Sequence, residues 1–334
     1  MKPIAIINNN YKNFLSAEYL VGTVCNYDCH YCAQINRDGK IKFTNDLETV
    51  KKNLGHMLSI YRTTLNKTNI RLNITGGEPT LWPKLGEFAE YCSNVLGCSV
   101  SLVTNGSRKL NWWKEYAQFF DDICISIHNE YTQSDHIIEV MDWIYNNTDC
   151  LINANVMMDP ANWDKSVAIT KTLAEHPTPW LLKVRPVLIN GDMGKFTSEQ
   201  TAYIKDKIKK LPPSEWLQKM KDLGRLYDPD NGMQLILNNN ETIKADTFTI
   251  MENDWYRFYN WKCNIGLDRF MIGFNGEIHG ACGARNLFNL DTPLSIYDVD
   301  FTEKFTASTL VETTCKQMWC ECPTEIKLPK RKQL

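Results

Sequence analysis

No stretch of this chain is apolar for long enough to span a membrane, and Met1 to Phe14 holds an asparagine run with no apolar core of signal-peptide length. Charge of one sign is also missing. With 37 Lys and Arg against 39 Asp and Glu the formal net charge is −2, so the broad basic footprint of a nucleic-acid-polymer binder is not there. Internal repeats and low-complexity segments are absent too. What is left is a globular chain of 334 residues, 43% hydrophobic, long enough for one large domain or for a large and a small one. The basic stretch Lys327–Lys332 reads as a frayed, solvated tail. Cysteine, by contrast, is plentiful. Twelve of them in a chain without an export signal point to a reducing cytoplasm and to metal ligation, not to disulfides.

Three of the twelve, Cys25, Cys29 and Cys32, form a CxxxCxxC run directly after an apolar stretch. Three thiolates on one short loop can cap three irons of a cubane cluster. A cluster normally takes four cysteines, so the fourth iron would be open to a ligand that is not protein. Half of a zinc site, or ordinary buried thiols, are the competing readings, although a zinc ribbon wants paired CxxC knuckles. About one βα unit downstream, Asn69 to Ile74 reads as a strand running into Thr75-Gly76-Gly77-Glu78-Pro79. Two glycines there let a ligand approach bare backbone, and Pro79 stiffens the exit.

The cysteine triad, with Tyr31 just before its last member, resembles the signature of the radical S-adenosylmethionine (radical SAM) enzymes, and the Gly-Gly-Glu-Pro turn resembles a second motif of that family. The resemblance implies that Cys25, Cys29 and Cys32 hold a catalytic 4Fe–4S cluster. It also implies that the open iron chelates the amino and carboxylate groups of S-adenosylmethionine, and that Gly76, Gly77 and Glu78 hold the amino group. The cluster then cleaves the cofactor to a 5′-deoxyadenosyl radical that takes hydrogen from a substrate carbon.

Strand-like runs alternate with helical patterns: Tyr19–Val24, Ile70–Ile74, Cys98–Val103, Ile123–Ile127, Leu151–Val156 and Leu181–Val187 are strands, and Leu47–Thr63, with Asn45 as N-cap, is the first helix. A second helix lies near Pro83–Leu96. Six βα units imply a parallel sheet curled into part of a barrel. One face of each strand is polar: Arg71 with Asn73 and Thr75, Ser126 with His128, Asn153 with Asn155, Lys183 with Arg185. A closed eight-stranded barrel fills its interior with branched apolar residues, so the expected fold is α/β, a partial (β/α)6 TIM-like barrel with a wet lumen, as in the radical SAM family. Barrel sites lie at the C-terminal ends of strands. By resemblance Tyr31 on the cysteine loop, with Thr75, Thr104, Asn105, Ser126, Asn155 and Arg185, contacts the cofactor there. His128 is a substrate contact, a proton-transfer group or a hydrogen-bonded histidine.

Residues 191–255 read as a helical and hairpin connection between the barrel (1–190) and a C-terminal part (256–334). Its hairpin comprises Met233–Leu237 and Glu241–Ile250, and a second, 270–280, turns on Asn275-Gly276. Cys263 and Cys282 bracket the second hairpin, and Cys315, Cys320 and Cys322 follow. The layout resembles the truncated SPASM, or twitch, domain, which implies a small hairpin-plus-helix unit with an auxiliary 4Fe–4S cluster. Five candidates exceed four ligand sites, and zinc is the rival occupant. Cys92, Cys98, Cys124 and Cys150 read as small core residues. A flavodoxin- or ferredoxin-type reductant, and a peptide or small polar substrate, are the expected partners. Only 24 residues precede Cys25, so a fused leader-binding domain of the peptide-maturase kind is not expected. A non-catalytic electron-transfer or zinc scaffold would explain the cysteines but not Gly76-Gly77-Glu78.

Overall fold

The computed structural model describes the chain except for residues 179, 190, 191, 194, 195, 208–231, 281–287, 289, 291, 321, 323 and 334. Its elements, in order, are β1 (Pro3–Asn8), β2 (Phe14–Leu20), α1 (Leu47–Leu65), β3 (Asn69–Thr75), α2 (Leu85–Glu90), β4 (Ser99–Thr104), α3 (Leu110–Tyr116), β5 (Asp122–Ile127), α4 (Ser134–Asn147), β6 (Leu151–Met158), α5 (Trp163–Glu175) and β7 (Leu181–Pro186). Strands β2 to β7 lie parallel and in chain order, so each strand returns through a helix to the next place in the sheet. Strand Arg269–Ile272 adds to the free edge of β2 in parallel, and Ile278–His279 pairs antiparallel beyond it. Among the described residues the two edges of this eight-stranded sheet do not pair with each other, so it is open.

Period-two alternation decides which face goes inside. Leu72, Ile74, Val100, Leu102, Ile123, Ile125, Val156 and Val184 are buried in one core with Val50, Leu54, Met57 and Tyr61 of α1. The other face is polar, as expected, and largely self-neutralising. Arg71 donates to Ser101 and Asp122, Asn153 donates to Asp122, and Arg269 donates to Ser16 and Glu18. Cys124 belongs to this face and not to the core: it is half-buried, and its sulfur accepts from Asn155 Nδ2 at 2.9 Å. Cys92, Cys98 and Cys150 are core residues.

Two local expectations shift. Helix α1 is capped by Asp46, whose carboxylate accepts from Thr49 N at 3.0 Å. Asn45 lies one residue too early, because buried Leu47 has to begin the helix. The first barrel strand ends at Leu20 instead of Val24, because the chain bends at Gly22 (φ +156°) and lays residues 21–24 against the turn after β3.

A second, six-stranded antiparallel sheet has the order Thr242–Lys244, Met233–Leu237, β1, Lys330–Arg331, Lys262–Cys263, Thr313–Thr314. Its core holds Ile6, Leu235, Phe258, Trp261, Cys320 and Ile326. The basic C-terminal stretch is therefore not a frayed tail. Lys330–Arg331 is an inner strand, and Lys330 is only 5% exposed. The expected strand Glu241–Ile250 holds only at Thr242–Lys244, because Asp246 accepts from Thr249 N and caps a helix, Thr247–Glu252. The hairpin at Asn275-Gly276 forms, with Gly276 at φ +83°. Most of the expected connection, residues 208–231, lies outside the described residues. No helix among the described residues is long and apolar enough to cross a membrane.

Candidate functional site

The loop after β2 carries the cysteine triad across the C-terminal ends of β3 to β6, and the residues between the cysteines hold it there. Asn26 donates to Ser107 Oγ at 3.0 Å and accepts from Asn105 Nδ2 at 2.9 Å, both in the loop after β4. Tyr27 stacks on Tyr131 at 4.9 Å. His30 meets Glu130, past β5, at 2.5 Å and Asp159, past β6, at 3.6 Å. Tyr31 Oη lies 2.8 Å from His128 Nδ1. Three strand ends, those of β4, β5 and β6, thus position one loop.

Behind the loop, the glycine turn packs so closely that it has no room for side chains. Gly77 N donates to Gly22 O and Glu78 N to Val24 O, each at 2.8 Å. A Cβ on Gly77 would lie 2.4 Å from Val24 O, and one on Gly76 (φ +146°) 2.8 Å from Gly22 O. The glycines are needed first for contact with the cysteine loop. Glu78, fully buried, does not line the cavity described below. Its Oε1 accepts from Thr80 N, Thr80 Oγ1 and Thr104 Oγ1 at 3.0, 2.6 and 2.7 Å, and its Oε2 accepts from Asn105 N at 2.6 Å. It ties the turn after β3 to the turn after β4, although burial pushes its carboxyl upward against those donors.

Between loop and strand ends lies a cavity of about 140 Å³. Cys25, Cys29 and Cys32 form one wall, and Thr75, Gly76 and Gly77 face them. Thr104, Asn105, Ser126 and His128 also line the cavity, as does Arg37. Burial pushes the Cys29 thiol up to about 12, and the Cys25 and Cys32 thiols upward as well, so only a bound cation can displace their protons near neutral pH. Three soft sulfur donors around one pocket, with backbone and hydroxyls opposite, fit a cluster that lacks a fourth protein ligand. Burial holds the His128 imidazole down to about 4, so it is neutral, with Nδ1 engaged by Tyr31 Oη.

Of the sequence-derived cofactor residues, Tyr31, Glu78, Asn155 and Arg185 lie outside the cavity lining. Tyr31 braces the loop. Asn155 and Arg185 sit on the polar strand face, one on β6 and one on β7, with Asn155 opposite Lys183. Sequence reasoning missed the His30–Glu130–Asp159 anchor, a group whose donor atoms all lie within 4.8 Å of one another. The only sequence signal for it is that Glu130 and Asp159 each follow a strand closely.

Cys263, Cys315 and Cys320 lie near one another at the second sheet. Cys263 and Cys320 are buried, and Cys315 and Cys322 are half-buried. Cys315 N donates to Trp261 O and Cys320 N to Tyr256 O, each at 2.8 Å, which fixes both near the Cys263 strand. Burial raises the Cys263 thiol and takes the Cys320 thiol to about 11. Cys282 lies outside the described residues.

The model of the Radical SAM superfamily matches residues 19–137, the stretch holding both the cysteine loop and the glycine turn. That stretch of the chain is therefore similar to the Radical SAM superfamily. Among solved structures it is similar to native anSMEcpe with bound AdoMet, at 18% identity over 88% of this chain and 81% of that one, TM-score 0.44. It is also similar to Streptococcus suis SuiB bound to precursor peptide SuiA, at 14% over 91% and 72%, TM-score 0.47. A third is the Escherichia coli coproporphyrinogen III oxidase HemN, at 13% over 78% and 63%, TM-score 0.37. No curated protein matches.

Proposed function

We propose that this chain is a radical SAM enzyme of partial-barrel architecture. In this reading Cys25, Cys29 and Cys32 hold a 4Fe–4S cluster, and S-adenosylmethionine occupies the adjoining cavity. The observation that carries the reading is the single pocket shared by the three thiols, the Gly76-Gly77 backbone and the polar ends of β3 to β5. When bound, the cluster and cofactor supply a 5′-deoxyadenosyl radical by one-electron reductive cleavage.

The chain's own residues bind, orient and exclude. Thr75, Thr104, Asn105 and Ser126 offer hydrogen bonds to a polar cofactor, and the His30, Tyr31 and Asn26 anchors hold the thiols in place. Glu78 acts one step back, by fixing Thr104 and Asn105. His128 is a positioning residue, since its Nδ1 braces Tyr31. Lys183 and Arg185, which have no ion pair among the described residues, favour an anionic group on the polar face, either the cofactor carboxylate or part of a peptide or small polar substrate. Cys263 and Cys282, with two of Cys315, Cys320 and Cys322, hold a twitch-like auxiliary 4Fe–4S cluster that accepts an electron from substrate or binds substrate. A flavodoxin- or ferredoxin-type reductant in the cytoplasm supplies the electron for cleavage.

Anaerobically reconstituted protein, reduced with dithionite, should give an electron paramagnetic resonance signal that S-adenosylmethionine perturbs. A signal unchanged by saturating S-adenosylmethionine would sink the proposal.

A further inference from the structure

The strand Lys330–Arg331 places an ammonium where water does not reach. Lys330 is 5% exposed, and burying a cation is costly unless an anion accompanies it. Its partners among the described residues are the Cys320 sulfur at 3.8 Å, the Glu325 backbone carbonyl at 2.9 Å and the Phe258 ring at 4.4 Å, none of them a carboxylate. Cys263 is its directly opposed cross-strand neighbour, so the two side chains share a face. The sulfurs of Cys263, Cys320 and Cys315 and the buried Glu325 carboxylate all lie near this ammonium. As protonated thiols these sulfurs supply no charge. As thiolates on a metal centre they supply it, and the lysine then faces the anion its burial calls for.

We propose that Lys330 is the built-in counter-cation of an iron–sulfur centre held by Cys263, Cys315 and Cys320, and that it sets the reduction potential of that centre. The inference rests on the auxiliary-cluster reading and is independent of chemistry at Cys25, Cys29 and Cys32. A one-electron reduction by an external reductant makes such a centre one unit more negative. A fixed ammonium a few ångströms away favours that state and raises the potential. Lys330 touches no substrate in this account; it acts through the sulfurs.

The test uses the full chain with Cys25, Cys29 and Cys32 all changed to Ala, so that only the second site can bind iron. Reconstituted anaerobically, this background should retain iron and sulfide and show one reducible centre. Adding Lys330→Met should move its midpoint potential to a more negative value, whereas Lys330→Arg, which keeps the charge, should leave it near the background value. Lys330→Gln keeps a hydrogen-bond donor for Glu325 O and repeats the comparison should the Met variant not fold. A purely structural lysine would change melting temperature without this charge-dependent order of potentials. Equal potentials in the Met or Gln and Arg variants would overturn the proposal. So would a background protein that binds zinc or no metal at all.

Discussion

Replacing Gly77 by Ala adds one methyl group at the tightest point of the site. The added Cβ would lie 2.4 Å from Val24 O, 2.7 Å from Val24 C and 2.9 Å from Thr23 C. Ordinary contact begins at 3.4 Å, so the turn and the cysteine loop must part by about 1 Å, and backbone cannot rotate away as a side chain would. That separation stretches the Gly77 N–Gly22 O and Glu78 N–Val24 O hydrogen bonds, both 2.8 Å, past useful length. Losing two buried hydrogen bonds at about 1 kcal/mol each, with an overpacking strain of roughly 1–3 kcal/mol, gives a destabilisation of roughly 3–5 kcal/mol. Cys25 follows Val24 directly, so the same displacement moves a cluster ligand. Urea unfolding of the metal-free protein should show the lowered midpoint at unchanged slope, and reconstituted Gly77→Ala protein should hold less iron at the first site. A variant within 0.5 kcal/mol of wild type on the usual neutral-surface scale, with full iron content, would refute this reasoning.

Glu78→Ala should leave four buried donors, on Thr80, Thr104 and Asn105, without an acceptor and cost roughly 3 kcal/mol or more, as thermal melts would register. Glu78→Gln should cost less, since it keeps one acceptor oxygen. Asp46→Ala removes the cap on α1 and should cost about 1 kcal/mol, measurable by chemical unfolding with no change in iron content. His128 sets a pH dependence. Its folded value is held at about 4, below the ordinary 6.5, so between those values the unfolded chain binds a proton that the native chain refuses. Stability of the metal-free protein should therefore fall as pH drops from 6.5 towards 4, and His128→Asn should flatten that slope in melts across the range; an unflattened slope would assign it to another group.

The parallel core was legible because each strand from β3 to β7 alternates apolar and polar residues, as in Arg71-Leu72-Asn73-Ile74, and helices such as α1 show apolar spacing on one side. The cysteine and glycine motifs are local in sequence, so their meeting at one end of the sheet followed from strand order. What the sequence hid is non-local. β1 and Lys330–Arg331 are short and lack alternation, and they are strands because of partners distant in sequence: β1 lies between Met233–Leu237 and Lys330–Arg331, and the latter between β1 and Lys262–Cys263. Lys330 looked like tail charge because nothing near it in sequence reveals the sulfurs above it. Glu78 carries a motif position, but its four donors come from Thr80, Thr104 and Asn105, whose convergence needs the fold. Cys124 was misplaced because it was read by residue type; its register between Ile123 and Ile125 puts it on the polar face with Asp122 and Ser126.

The central claim is that the three loop cysteines hold the cluster that cleaves S-adenosylmethionine. Anaerobically reconstituted wild-type protein, given dithionite and S-adenosylmethionine, should accumulate 5′-deoxyadenosine. Protein with Cys25, Cys29 and Cys32 changed to Ala should make none above the protein-free background while remaining folded by circular dichroism. Formation of 5′-deoxyadenosine by that folded triple variant at the wild-type rate, or its absence from iron-replete wild type, would contradict the account.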